Sequence, residues 1–139
     1  MYAIVDQLTK AWAIDTLADG PIVIIKDVLA LRLTFNTGAS FSIFSNAGPI
    51  VAIIVIGVIG LIMYILGDAS LRIEAISLGL VLGGSLGNLT DRIFRGEGFL
   101  DGAVVDFIDV QFFATFNVAD IGINVGVALL LIAVFFHRS

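Results

Sequence analysis

The eighteen residues from Pro49 to Leu66, P-I-V-A-I-I-V-I-G-V-I-G-L-I-M-Y-I-L, contain no charged side chain. A helix of that length, rising ~1.5 Å per residue, reaches about 27 Å, close to the ~30 Å hydrocarbon core of a bilayer. A helix apolar on every face must be surrounded by protein or by lipid. With 139 residues, 59% of them hydrophobic and only 14% charged, the chain has too little polar surface to enclose it as a soluble domain. The expectation is a single integral-membrane domain over residues 1–139.

Two further stretches read as spans. Ile73 to Thr90 has Glu74 near its start, and Gly79, Gly83 and Gly87 recur every four residues as a smooth ridge for close helix packing. Ile121 to Phe136 is the last span, and Gly122 and Gly126 repeat the small-residue signal. Met1 to Leu17 reads as a short helix in which Asp6 and Lys10 stand at i,i+4, the favourable order for a helical ion pair. Five residues precede Asp6, too few for a crossing of ~20 residues. The plain reading is therefore an interfacial helix with a surface ion pair. No basic segment followed by a cleavage site marks a removable signal peptide.

Between these helices the period changes. Asp19-Gly20-Pro21 is a break, after which Leu29, Leu31, Leu33 and Phe35 alternate with Ala30, Arg32, Thr34 and Asn36. That is a strand with one buried face. Pro21 to Ile25 pairs with it across Lys26-Asp27, although Lys-Asp is not a preferred hairpin dipeptide. N-T-G-A-S-F, Asn36 to Phe41, supplies turn chemistry, and Ile93 to Val104 is a polar, glycine-containing loop.

Several chemistries are excluded by count. There is no cysteine, and the one histidine is His137, a tail residue, so thiolate chemistry and a Ser-His-Asp triad have no basis. Seven Lys and Arg without a basic patch exclude nucleic-acid binding. Carboxylate chemistry, a Ser-Lys pair or an oxygen-ligand metal site remain.

The carboxylates gather in Val104 to Asp120, V-V-D-F-I-D-V-Q-F-F-A-T-F-N-V-A-D, where Asp106, Asp109 and Asp120 stand among apolar residues. An ionisable group at the membrane is expensive and marks a functional site. Two such carboxylates in a poorly hydrated place share one proton, giving an acid beside a base. Asp106 and Asp120 are the candidate pair. Asp120 stands three residues after Asn117 at a helix N-terminus, where the dipole favours an ionised carboxylate. Asp106 then holds the shared proton.

If the chain crosses alternately, Asn36, Asn88, Asp91, Arg92, Asp106, Asn117 and Asp120 all fall at span ends on one membrane face. The count of basic residues, Arg72 and Arg138 against Lys26, Arg32, Arg92 and Arg95, points that face inward. The count is weak, because Arg92 and Arg32 read as site residues.

The chain resembles the lipoprotein signal peptidases (signal peptidase II) of bacteria. The resemblance rests on D-Q-L-T-K (Asp6–Lys10), N-T-G-A-S-F (Asn36–Phe41), G-N-L-T-D-R (Gly87–Arg92), V-V-D-F (Val104–Phe107) and F-N-V-A-D (Phe116–Asp120), in order across nearly the whole chain. It implies an all-α membrane protein with four transmembrane helices and a small extracytoplasmic β-element, the first helix being abbreviated because only M-Y-A-I-V precedes the first motif. It also implies an aspartyl protease of the bacterial cytoplasmic membrane, catalytic at Asp106 and Asp120, with its active site toward the extracytoplasmic face. The implied reaction removes the signal peptide of prolipoproteins before the cysteine that carries diacylglycerol. It needs no metal or other cofactor and is blocked by globomycin-type peptides, with a monomer as the expected form. The loop Arg95 to Ala103 looks longer than is usual in that family.

In that scheme Asn88, Arg92 and Asn117 hold the pair or the substrate backbone, and Asn36 lines the pocket. Gly84 belongs to the same supporting set, and Asp6 and Lys10 support the architecture. Three other readings stay open on residues alone. One is a four-helix proton-coupled transporter using Asp106 or Asp120. Another is a Mg²⁺-dependent headgroup transferase with Asp91, Asp106, Asp109 and Asp120 as ligands. The last, a Ser-Lys protease on Lys10 or Lys26, lacks a serine at telling spacing.

Overall fold

The computed structural model describes residues 1–38, 47–67 and 72–137. In chain order the elements are α1 (Tyr2–Thr16), β1 (Ile22–Ile25), β2 (Leu29–Asn36), α2 (Gly48–Leu66), α3 (Arg72–Phe94), β3 (Val104–Val110) and α4 (Val118–His137). α3 is the central element, and α1, α2 and α4 all pack against it. The three strands form one antiparallel sheet in the order β1-β2-β3. Ala39, Ser40 and Phe41 of N-T-G-A-S-F, and Arg138, lie outside the described residues.

Among the described residues, three helices are long and apolar enough to cross a membrane: α2, α3 and α4. The uncharged stretch is α2, and of its side chains only Gly48, Ala52 and Ile62 are buried. Ile50, Ile53, Ile54, Leu61 and Tyr64 point away from the protein, an apolar face that suits a helix crossing lipid. α1 has 15 residues and so reaches about 22 Å, short of the bilayer core. It is not among the three helices that meet that measure.

The element bounds differ from expectation where side chains intervene. α3 continues past Thr90 to Phe94, since nothing breaks the helix before Gly96. α4 begins at Val118 rather than Ile121, because Asn117 caps it. The Asp120 N–H donates to Asn117 Oδ1 at 3.0 Å, and the Asn117 N–H donates to Asp120 Oδ2 at 3.1 Å. This is a capping box with Asp120 at its third helical position. The β1–β2 hairpin forms although Lys26-Asp27 is a poor turn signal, because Asp27 itself takes the left-handed backbone at φ 61°. Val104 to Val110, a greasy acidic stretch on sequence, becomes β3 by pairing with β2, and Asp106 stands opposite Thr34.

The glycine ridge of α3 divides between two neighbours. A Cβ on Gly83 would lie 2.8 Å from Tyr2 Cβ, and one on Gly87 would run into the Asp6 carboxylate, so these two receive α1. Gly84 faces α4, where a Cβ would strike the Ala119 carbonyl oxygen and lie 2.8 Å from Ile123 Cγ1. Gly79 has open space and takes no part in the ridge. Gly84→Ala is therefore expected to lower the thermal stability of the detergent-purified protein. Gly79→Ala should leave it unchanged or raise it by about 0.5–1 kcal/mol. Equal melting of Gly84→Ala and wild type would contradict this packing.

Candidate active site

Asp106 reaches the site from a strand and Asp120 from a helix N-terminus. Asp106 is buried, and β3 around it is anchored by Val104, Val105 and Phe107, each at most 4% exposed. Both carboxylates line one cavity of about 450 Å³, together with Asn36, Asn88 and Arg92. Its apolar wall includes Val51 and Val55 of α2, Leu89 of α3, Ile123 of α4 and the turn residues Phe113 and Phe116.

The amides between the carboxylates form a directed network. Asn117 Nδ2 donates to Asp106 Oδ1 at 2.7 Å and to Asn88 Oδ1 at 3.0 Å, while Asn88 Nδ2 donates to Asp120 Oδ1 at 3.0 Å. Asn36 Nδ2 donates to Asp106 Oδ2 at 3.3 Å. Burial is the main cause that pushes the Asp106 carboxyl up to about 6, and the nearby Asp120 adds to it. The hydrogen bonds from Asn36 and Asn117, and the Lys10 charge, oppose the rise.

Behind the carboxylates lies a buried ionic cluster. The Lys10 ammonium contacts Asp6 Oδ2 at 2.7 Å and Asp91 Oδ2 at 2.9 Å, all three side chains being fully buried, and donates to Asn88 Oδ1 at 3.0 Å. The expected surface ion pair is thus a core element, because α3 and β3 close over α1. Asp91 Oδ2 accepts the Val105 N–H at 3.0 Å, and Asp6 Oδ1 accepts the Ala119 N–H at 2.9 Å. Each acid therefore grips the backbone one residue before a member of the Asp106–Asp120 pair. A single ammonium links the two acids and so fixes how the pair is spaced.

Other residues have plainer positions. Arg92 is buried at the cavity rim, with Nη1 3.4 Å from the Gly102 carbonyl oxygen. Gly84 lies in the α3–α4 contact and does not line the cavity. Asp109 pairs with Arg32 at 3.0 Å on the opposite face of the sheet, and Asp101 accepts the Gly98 N–H within its own loop. Asp91 is committed to Lys10, Gln7, Arg95 and Val105. Asp91, Asp106, Asp109 and Asp120 thus do not converge as one ligand set. Among the described residues, no group of three or more potential ligands could hold a metal ion.

Sequence reasoning missed two supports. Gln7 Nε2 donates to Asp91 Oδ1 at 2.9 Å, and the Tyr2 hydroxyl donates to the Val118 carbonyl at 2.6 Å. Tyr2 lies between Gly83 and Gly122, a role no local pattern could signal. Asn124, on the cavity wall, was also missed. Its signal was present in the sequence as the one polar side chain between Ile121 and Phe136.

Comparison with known proteins decides the family. The model for signal peptidase (SPase) II matches residues 1–136. The chain belongs to the signal peptidase II family. The lipoprotein signal peptidase of Rhodococcus jostii (strain RHA1) is 41% identical over 128 residues, covering 91% of this chain and 65% of that protein. That of Leifsonia xyli subsp. xyli (strain CTCB07) is 38% identical over 131 residues, covering 93% and 61%. The chain thus spans under two thirds of these relatives' own length. A solved structure described as a bacterial membrane enzyme superposes with a TM-score of 0.83 at 30% identity, covering 97% of this chain and 88% of that one. As a signal peptidase II family member with three helices fit to span, the chain is a multi-pass membrane protein of a protease family. The transporter reading finds no support in these likenesses.

Two measurements test the electrostatics of the site. Removing one partner from a buried ionic cluster typically costs about 3–5 kcal/mol, because its partners keep uncompensated charge. Lys10→Met is expected to lose stability on that scale, read by thermal unfolding in detergent, and wild-type stability would contradict the buried cluster. Asp106 holds its proton more tightly folded than unfolded, so its contribution to stability is complete below pH ~3.9 and is lost as pH rises through about 6. Asp106→Asn, which never ionises, is expected to melt above wild type at pH 8. That margin should shrink toward pH 4.

Proposed function

We propose that the chain carries the catalytic body of a membrane aspartyl endopeptidase that removes the signal peptide from lipid-modified prolipoproteins. The observation that carries this reading is the pair Asp106 and Asp120, lining one cavity in unlike surroundings. Asp120 accepts two N–H donors at a helix N-terminus, as suits a carboxylate. Asp106 is buried on a strand with its carboxyl raised to about 6, as suits a proton donor.

Asp120 takes a proton from a water as that water attacks the scissile carbonyl, and Asp106 donates its proton to the developing oxyanion. The tetrahedral intermediate collapses with cleavage of the C–N bond and proton transfer to the leaving amine. One product is a signal peptide ending in a carboxylate, and the other begins with the diacylglyceryl-cysteine. Asn88 and Asn117 hold the two carboxylates in position, and Arg92 and Asn36 complete the polar rim. Globomycin-type peptides would occupy the same cavity.

α1 serves in this reading as a fourth membrane helix, since its buried Asp6 and Lys10 bind it lengthwise to α3 and α4. The chain is then one domain of the bacterial cytoplasmic membrane, acting as a monomer, with the sheet and the Asp106–Asp120 pair on the extracytoplasmic side. The names of the relatives support lipoprotein precursors as substrate.

The test is cleavage of a diacylglyceryl-modified prolipoprotein by purified protein in detergent. Asp106→Asn and Asp120→Asn are each expected to abolish turnover while the protein still inserts and purifies. Asp109→Asn and Asp101→Asn should retain most of it. Either Asp106→Asn or Asp120→Asn working within about tenfold of wild type would sink the assignment. The pH dependence of kcat/KM should be bell-shaped, with an alkaline limb near the Asp106 value of about 6 in the free enzyme. A rate still rising at pH ~10 would show that no protonated aspartate is needed. Chelator should leave the profile unchanged, where a Mg²⁺-dependent transferase would lose activity.

A further inference from the structure

Asn124 is the one polar side chain between Ile121 and Phe136, in a helix otherwise apolar enough to cross a membrane. An amide in hydrocarbon is costly unless its hydrogen-bonding groups are used. Asn124 is exposed and lines the same cavity as Asp106 and Asp120. Its Nδ2 donates to the Asp120 carbonyl oxygen at 2.9 Å, one turn back. Among the described residues it makes no other hydrogen bond, so Oδ1 and the second N–H remain available.

We propose that Asn124 is a substrate subsite, pairing with a backbone amide of the signal peptide about two residues before the scissile bond. This rests on the peptidase reading above. The spacing follows from geometry: four helical residues advance ~6 Å along α4, and two residues of extended chain cover ~6.6 Å. Direction agrees as well. α4 starts at the Asp106–Asp120 pair and runs into the membrane, so Asn124 lies deeper than Asp120. The part of a signal peptide before the cleavage point also runs deeper. The chemistry selects an amide over a lipid ester, because Asn124 offers both an acceptor and a donor. A peptide group answers both, whereas an ester has only acceptors. The facing wall, Val51 and Val55 of α2, offers that peptide group no competing partner.

The experiment uses the full chain in detergent and a synthetic diacylglyceryl lipopeptide spanning the cleavage site. Asn124→Leu is expected to raise KM about fivefold to tenfold, the scale of one or two neutral hydrogen bonds, with kcat within about twofold. A lipopeptide N-methylated at the amide two residues before the scissile bond should raise the wild-type KM similarly. Combining Asn124→Leu with that lipopeptide should add nothing further. An unchanged KM for Asn124→Leu overturns the proposal, and so do losses that multiply in the combination. If the penalty instead vanishes on a lipopeptide with ether-linked chains, Asn124 reads the acyl ester and the peptide assignment is wrong. The N-methyl arm on wild-type protein stays informative even if Asn124→Leu fails to fold, since unaltered cleavage of that lipopeptide overturns the proposal by itself. Wild-type protein that leaves the unmodified lipopeptide intact overturns the peptidase reading. Wild-type cleavage with Asn124→Leu unaffected overturns only this subsite.

Discussion

The Lys10 ammonium, fully buried between Asp6 and Asp91, is the interaction on which the rest of the structure depends. A lone charge in that position would be intolerable, and two facing acids would be worse. With Arg95 on Asp91 Oδ1, two cations answer the two acids. Asp6 Oδ1 takes the Ala119 N–H, and Asp91 Oδ2 takes the Val105 N–H as well as Lys10. Ion pairs of this kind contribute little net stability compared with apolar packing, but they tolerate few alternative arrangements. Here the arrangement joins α1, α3, β3 and the start of α4 at one point. It also explains why the backbone of Gly87 comes so close to Asp6, since a side chain there would displace the carboxylate.

Two kinds of secondary structure meet at that point, and they give Asp106 and Asp120 unlike surroundings. A helix N-terminus presents free N–H groups, so Asp120 enters a capping box and accepts from Asn117. A strand gives its side chains no such field. Asp106 lies buried between Asn36 and Asn117, and its charged form is disfavoured. The asymmetry of the pair therefore follows from which element carries each aspartate. Burying Asp106 also works against stability at neutral pH.

The cavity exists because α2 and α4 lie against different parts of α3. α4 is drawn close by Gly84 and Gly126, where a side chain would collide with the neighbouring helix. α2 lies against α3 through Ala52, Leu89 and Leu100, with Leu100 folded in from the 95–103 loop at φ 55°. Valines of α2 thus face Ile123 and Asn124 of α4 across the cavity.

The uncharged stretch marked α2, the apolar runs marked α3 and α4 within a few residues of their ends, and the period-two alternation marked β2, because each is a local pattern. The acids among apolar residues drew attention to Asp106 and Asp120, since a charge in such surroundings is costly, but they drew the same attention to Asp109, which only pairs with Arg32. Tertiary structure decided the rest. Asp6 and Lys10 at i,i+4 look alike on a surface and in a core, and only the packing of α3 and β3 over α1 made the pair buried. β3 needed β2 as a partner, because a strand's hydrogen bonds lie outside its own sequence. The grip on the backbone beside Asp106 and Asp120 was invisible for the same reason: Gln7, Tyr2 and the Ala119 N–H gain their roles only from residues 80 to 116 positions away, and the Val105 N–H gains its role from Asp91 on α3.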